Sequence, residues 1–196
     1  MTLQALRDLV AQEQATAEGK EKILGALGEA GKKLRSELGE SLATLEKYDV
    51  PLQSATTPSL EALKAYSRGR QVYLEKGVPS AIPFFQHAIE LDPGFVAAYD
   101  WLGASYSDMG QPARGKQYLV RGFELAEHVT EREKLETTSV YERYVTGDLD
   151  KAEQCAREEI EDYPRGALGY TDLGNVQGER GLWQQALASA PRSGAA

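Results

Sequence analysis

The sequence predicts an all-α chain, a right-handed solenoid of helical hairpins preceded by one long amphipathic helix. Three observations predict it. Small residues recur in fixed columns: Gly69, Gly103 and Gly174 share one slot, with Val140 standing in it for the third unit, and Ala81, Gly115, Ala152 and Ala186 share another. The steps are 34, 37 and 34 residues in both columns. Turn residues repeat with the same spacing, through Gly110, Gly147 and Gly181 and through Pro93 and Pro164. Self-similarity at a period in the thirties marks stacked supersecondary units, each unable to bury its apolar face alone.

In order along the chain, Ile23, Leu27, Ala30, Leu34, Leu38, Leu42 and Leu45 fall at three- and four-residue steps and predict an amphipathic helix from Lys20 to Tyr48. Glycines at 25, 28, 31 and 39 would weaken it in isolation by up to ~1 kcal/mol each relative to alanine, so it depends on packing. Residues 1–49 are read as an N-terminal helical segment, a remnant of an upstream domain, and 50–58 as a linker containing two prolines.

The array is expected over 59–188 as about three and a half repeats, 59–93, 94–127, 128–164 and a truncated 165–188. In the first, Gly69, Ala81, Phe85, Ala88 and Pro93 frame the run AIPFFQHAIELDP. In the second, Tyr99, Leu102, Gly103 and Tyr106 line one helix face, Gly110 turns the chain, and Gly115, Leu119 and Gly122 line the returning helix. The fourth repeats the pattern through Tyr170, Leu173, Gly174, Gly181 and Ala186. Small residues belong where helices cross closely, because a larger side chain would part the backbones.

Helix starts agree with this frame. Thr57 with Pro58 suits an N-cap and first helical position, Pro112 opens a helix after Gly110, and Thr130 with Glu133 forms a capping-box pattern. Pro83 falls about one turn inside a helix and predicts a slight kink. The last helix is expected from Trp183 to about Ala188, without a polar capping helix after it, and 189–196 as a disordered tail.

Composition excludes several functions. The net charge of −8 repels phosphate backbones, so nucleic acid is not an expected partner. No apolar run is long enough to insert in a bilayer, and the first ten residues do not resemble a secretory signal. One cysteine, Cys155, with only His87 and His128 beside it, offers no intrachain disulfide and no zinc-ligand spacing. No metal and no cofactor is expected.

The spacing and the residue types in each column resemble the tetratricopeptide repeat family over residues 59 to 188, with the third unit, around Tyr141 to Pro164, degenerate. A narrower likeness is carried by KLRSELGESLATLEKYDVPL, SLEALKAYSRGRQVY and AIPFFQHAIELDP. Together these resemble the repeat-containing region that follows the kinase or winged-helix module of bacterial signalling proteins. That likeness implies a sensor or scaffold segment. No kinase motif is present: there is no glycine-rich nucleotide loop, no HRD and no DFG segment. The compartment is read as cytoplasmic by default, and as extracytoplasmic if the segment belongs to a larger membrane-anchored protein.

Candidate chemistry is sparse. Gly110, Gly115 and Lys116 in GQPARGKQ imitate a phosphate-binding loop, but Gln117 replaces the magnesium-binding Ser or Thr, and the stretch falls in a turn between helices. The acidic pairs Glu158 with Glu159 and Glu161 with Asp162 read as a solvated helix face. No nucleophile accompanies His87 or His128. The chain is therefore not expected to be an enzyme.

The inner wall of successive first helices is the expected binding surface, for a protein or peptide partner. Mapping the repeat frame places Tyr66, Arg70, Tyr73, Asp100, Ser107, Asp108, Lys134, Tyr141, Tyr144 and Asn175 on it. Tyrosine gives large contact area with a hydroxyl that tolerates partial wetting. Tyr73 and Tyr144 have an alternative role in completing the packing between units. The resembled family's best-known pocket clamps a terminal carboxylate with basic and asparagine side chains, whereas Tyr66 and Trp101 stand at corresponding positions here, so that clamp is not expected. The alternative to partner binding is self-association through the leucine stripe and the uncapped last repeat, giving a homo-oligomer.

Overall fold

The computed structural model describes residues 22–37, 57–164 and 166–189. These residues are helical, without a strand among them, as the fold class predicts. The chain divides into two units, Met1–Leu60 and Glu61–Ala196.

In the first unit one helix is described, α1 (Ile23–Glu37). Its buried residue is Leu24, while Leu27, placed in the buried stripe by the sequence pattern, is 49% exposed. The remainder of the helix predicted over Lys20–Tyr48, and most of the linker over 50–58, lie outside the described residues. Thr57 does not cap a helix directly. Its hydroxyl accepts from the Ser59 amide, and α2 begins only at Leu60.

The second unit is a row of antiparallel helix pairs. They are α2 (Leu60–Lys76) with α3 (Val78–Leu91), and α4 (Val96–Asp108) with α5 (Pro112–Leu125). Then come α6 (Glu131–Tyr141) with α7 (Leu149–Asp162), and α8 (Ala167–Glu179) with α9 (Trp183–Ser189). Each pair is joined through a glycine at positive φ: Gly77 at 82° and Gly110, Gly147 and Gly181 at 75°. A Cβ is disfavoured in that conformation, which is why the turn column is glycine. Gly77, 33 residues before Gly110, stands one position outside the turn column and fills the turn role in the first pair.

Pro112 occupies the start of α5, and Thr130 caps α6 by accepting from the Glu133 amide at 3.3 Å. The capping box is half formed, because the Glu133 side chain is buried beside α4 rather than turned back to Thr130. Pro83 is absorbed within α3, which runs as one continuous helix around it.

The close crossings use the small-residue columns. A Cβ on Gly103 would lie 2.5 Å from Leu119 Cγ and 2.9 Å from the Gly115 carbonyl oxygen, so α4 and α5 touch through their backbones. In the third pair the residue at this crossing is Ser139, buried and donating to the Ala152 carbonyl at 3.3 Å. It is not Val140. The three-residue insertion is split: two residues precede the crossing, where a 3-10 turn over Ala126–His128 intervenes, and one follows it. That last residue is taken up by a π turn, Glu142–Thr146, at the end of α6. Repeat columns assume one rigid frame, and a π turn shifts the frame by one position.

The interior changes character along the row. Around α2, α3 and α4 it is apolar: Ala62, Ala65, Ala88, Phe95 and Ala98 form one cluster, and Val72, Ala81, Phe85, Leu102 and Tyr106 another. Further on, Glu133, Thr137, Ser139, Glu142, Glu159 and Gln177 are buried among Ala152, Cys155, Ala156, Leu173 and Val176. Cys155 packs as a small buried side chain on α7.

Candidate functional site

A groove of about 480 Å³ runs across the row, and its wall comes only from the first helix of each pair. On α2 it uses Tyr66, Arg70, Tyr73 and Leu74; on α4, Ala97, Asp100, Trp101, Ala104, Ser105 and Asp108. On α6 and its π turn it uses Glu136, Val140, Arg143 and Tyr144, and on α8, Ala167, Leu168, Thr171, Asp172 and Asn175. Within each helix the spacing is three and four residues, the spacing of a single helix face. The π turn carries Arg143 and Tyr144 to this face.

Seven of the ten residues mapped from the sequence are brought together here: Tyr66, Arg70, Tyr73, Asp100, Asp108, Tyr144 and Asn175. Three are not. Lys134 lies two positions, about 200°, from Glu136 and is exposed on the far side of α6. Tyr141 is one position past Val140 and stacks on Phe123 of α5 with ring centroids 4.1 Å apart. Ser107 turns into the crossing with α5, donating to the Gly103 carbonyl at 3.0 Å and filling the space beside Gly115. All three errors are rotations of one or two residues about a helix axis.

The aromatic end of the groove is tightly built. Tyr66 packs against Phe95 and Phe85 with centroids 4.9 and 5.9 Å away, and Tyr73 meets Trp101 edge-on at 5.3 Å. The Arg70 guanidinium lies over the Trp101 ring at 4.8 Å, a cation–π arrangement that orders the side chain, and its charge acts on the nearby Tyr66 hydroxyl. Burial pushes the Tyr66 phenol upward. Tyr144 joins neighbouring pairs: its hydroxyl donates to Asp108 at 2.7 Å, and Arg143 covers its ring at 4.4 Å while binding Glu179 at 2.6 Å.

The other end is floored by carboxyls, Asp100 from the sequence mapping and Glu136 and Asp172, which the mapping missed. Asp100 accepts from Thr137 at 2.7 Å through Oδ2, and its Oδ1 has no partner. Burial, reinforced by Asp172, pushes its carboxyl up to about 7 against the pull of Thr137. Burial and then Glu159 raise Asp172 to about 7, although Arg143 opposes this. Glu136 is raised in the same sense by burial and by Glu159, with which it shares Arg132. Glu133, just behind, is raised to about 8 by burial and by Asp100. Glu136 and Asp172 looked like ordinary polar helix positions in sequence. The signal that could have found them is the phase of the groove face: Asp172 repeats the Trp101 position, and Glu136 repeats the Asp100 position once the two residues inserted before the crossing are allowed for.

Nothing in this arrangement resembles a phosphate loop. Gly115 sits inside the α4–α5 crossing, where a Cβ would lie 2.5 Å from the Gly103 carbonyl, and its amide is committed to the Gln111 carbonyl. Among the described residues no group of His, Cys, Asp or Glu is placed to hold a metal ion, and no helix is long and apolar enough to cross a membrane.

Fold and groove together define an array of helical hairpins with a wall built from the first helix of each pair. Residues 84–117 match the family model of the tetratricopeptide repeat, a stretch from mid-α3 into α5. No curated protein sequence matches the chain. Solved structures similar to it include the first repeat domain of Spaghetti (RPAP3) bound to an HSP90 peptide, at 15% identity and TM-score 0.42, covering 66% of this chain and 95% of that one. The second repeat domain of human RPAP3, in complex with an HSP70 peptide, aligns at 14% identity and TM-score 0.40, over 60% and 96% of the two chains. MamA from Desulfovibrio magneticus RS-1 aligns at 13% identity and TM-score 0.38, over 88% and 93%.

Proposed function

We propose that the chain is a non-catalytic protein-interaction module that takes a peptide or partner domain along its concave groove. The observation that carries this reading is the wall itself. It exposes aromatic and charged side chains from successive helices on one continuous face, while the opposite faces of those helices are spent on packing. The narrower assignment, to the sensor or scaffold part of a bacterial signalling protein, rests on the sequence resemblance alone, and the cytoplasmic setting is the default reading.

The test is a selection of displayed random 12-residue peptides on the whole chain and on Ala104→Trp, whose indole would fill the middle of the groove. Tyr66→Ala is a poor choice, because Tyr66 also supports Phe85 and Phe95. Peptides enriched on the wild type and lost on Ala104→Trp support the groove. Enrichment that is indifferent to Ala104→Trp sinks it.

A second reading, self-association, is favoured by α9, where Trp183 is 67% and Leu187 78% exposed. Light scattering from 1 to 200 µM decides it: a monomer throughout removes this reading, and a dimer broken by Trp183→Ser with Leu187→Ser sustains it.

A further inference from the structure

We infer that the segment held in the groove is basic, with an arginine or lysine whose cation is received beside Asp172 and Asn175 on α8 and across from Glu136 on α6. This rests on the groove reading above and names the chemistry of its occupant.

Charge complementarity selects a basic occupant. Four carboxyls face the groove, Asp100, Asp108, Glu136 and Asp172, against two cations, Arg70 and Arg143. Both cations are already engaged: Arg70 on Trp101 and Tyr66, Arg143 on Glu179 and the Tyr144 ring. The carboxyls are less well served. Asp100, only 8% exposed, keeps Oδ1 without a hydrogen-bond partner, but that oxygen is turned toward Gly122 of α5 behind the groove wall, so Asp100 acts on the groove only through its charge. Asp172 lines the groove and receives no hydrogen bond among the described residues. Asn175, one turn further along the same face, also has an amide to offer.

Groups facing Asp172 come from every packed element. Arg143 on the π turn is the favourable one, and Asp100 on α4, Glu136 on α6 and Glu159 on α7 are all unfavourable. Burying like charges together raises their proton affinity, and a cation placed among them is the missing partner. An acidic segment would instead add charge to this floor, which costs affinity. Arginine suits the site particularly well, since its planar guanidinium pairs with a carboxylate and stacks on aromatic rings such as Tyr144 and Tyr66.

The experiment uses the pool of 12-residue peptides that bind the whole chain and are lost on Ala104→Trp. The pool is expected to be enriched in arginine and lysine. A labelled member of it, and the same peptide with its arginine replaced by citrulline, are then titrated against wild type, Asp172→Asn and Glu161→Gln, the last an exposed acidic position outside the groove.

Citrulline and Asp172→Asn should each weaken binding about tenfold, with little further loss when combined, and Glu161→Gln should leave it unchanged. Binding should release protons at pH 7, read as a buffer-dependent heat, because the cation favours the ionised carboxyl. An Ala104→Trp-sensitive pool that is acidic or neutral overturns the inference while leaving the groove reading intact. So does a basic peptide whose affinity ignores Asp172→Asn. A selection with no Ala104→Trp-sensitive pool overturns both.

Discussion

The two ends of the array are held together by different physics. Around α2, α3 and α4 the interior is aromatic and aliphatic, with Phe85, Phe95 and Leu102 fully buried and small residues fitted between them. From α6 onward the buried positions carry carboxylates and hydroxyls, tied by Arg132 to Glu159, Lys151 to Glu142, and Thr137 back to Asp100. Apolar burial is non-directional and insensitive to pH, whereas buried ion pairs are directional and costly to break from one side. The array is thus a stable apolar base joined to a polar, charge-strained extension, and the groove crosses the junction. Its aromatic end belongs to the base and its acidic floor to the extension.

This contrast can be broken at several points. The largest effect is expected in the base, where Phe85→Ala empties a fully buried ring site and should cost ~3–5 kcal/mol in urea unfolding. Loss of the same size from truncating a residue on α9 would show that the base does not dominate. In the extension, Arg132→Ala leaves the Glu159 carboxylate, 1% exposed, without its cation. The Arg132 side chain is itself 37% exposed, so water offsets part of the loss, and about 2 kcal/mol is expected, recovered largely by adding Glu159→Gln. At the α4–α5 crossing, Gly103→Ala should cost ~1–3 kcal/mol, since the added methyl meets Leu119 and the Gly115 backbone.

A pH titration sharpens the comparison further. Asp100, Glu133 and Asp172 are raised above their ordinary values to about 7, 8 and 7. In the folded chain they hold protons that the unfolded chain has already released, so stability falls as pH rises from about 4 through 8. Thermal unfolding at pH 5, 7 and 9 should show a falling Tm, and Asp172→Asn should flatten the trend by on the order of 1 kcal/mol. A Tm rising over this interval would contradict the burial of these groups. The smallest effect is expected at Lys134→Ala, within about 0.5 kcal/mol and without change in groove binding, because that side chain is exposed and points away.

Much of the architecture was legible because it rests on local or periodic signals. Glycine at the turns, Pro112 at a helix start and Thr130 as a cap each answer to backbone rules acting within a few residues. Thr57 shows the limit of such signals: its hydroxyl makes a turn with Ser59 and the helix starts later. The groove was partly legible for the same reason. Where the frame is regular, on α2, α4 and α8, six of the seven mapped residues face it, and only Ser107 turns away. In the third pair the mapping placed Tyr144 correctly and misplaced Lys134 and Tyr141, because the π turn and the preceding 3-10 turn divide an insertion that the columns could only count.

The sequence by itself determined the all-α class seen in the described residues, how the hairpins repeat, and which positions must be small, because periodicity, turn chemistry and close packing are written residue by residue. Only the tertiary structure decided which face of α6 meets the groove, and that Asp100, Glu136 and Asp172 share one floor. That assembly depends on the rotation of each helix about its axis and on helices some 35 residues apart meeting side by side, and the repulsion among the three carboxyls exists only after they have met.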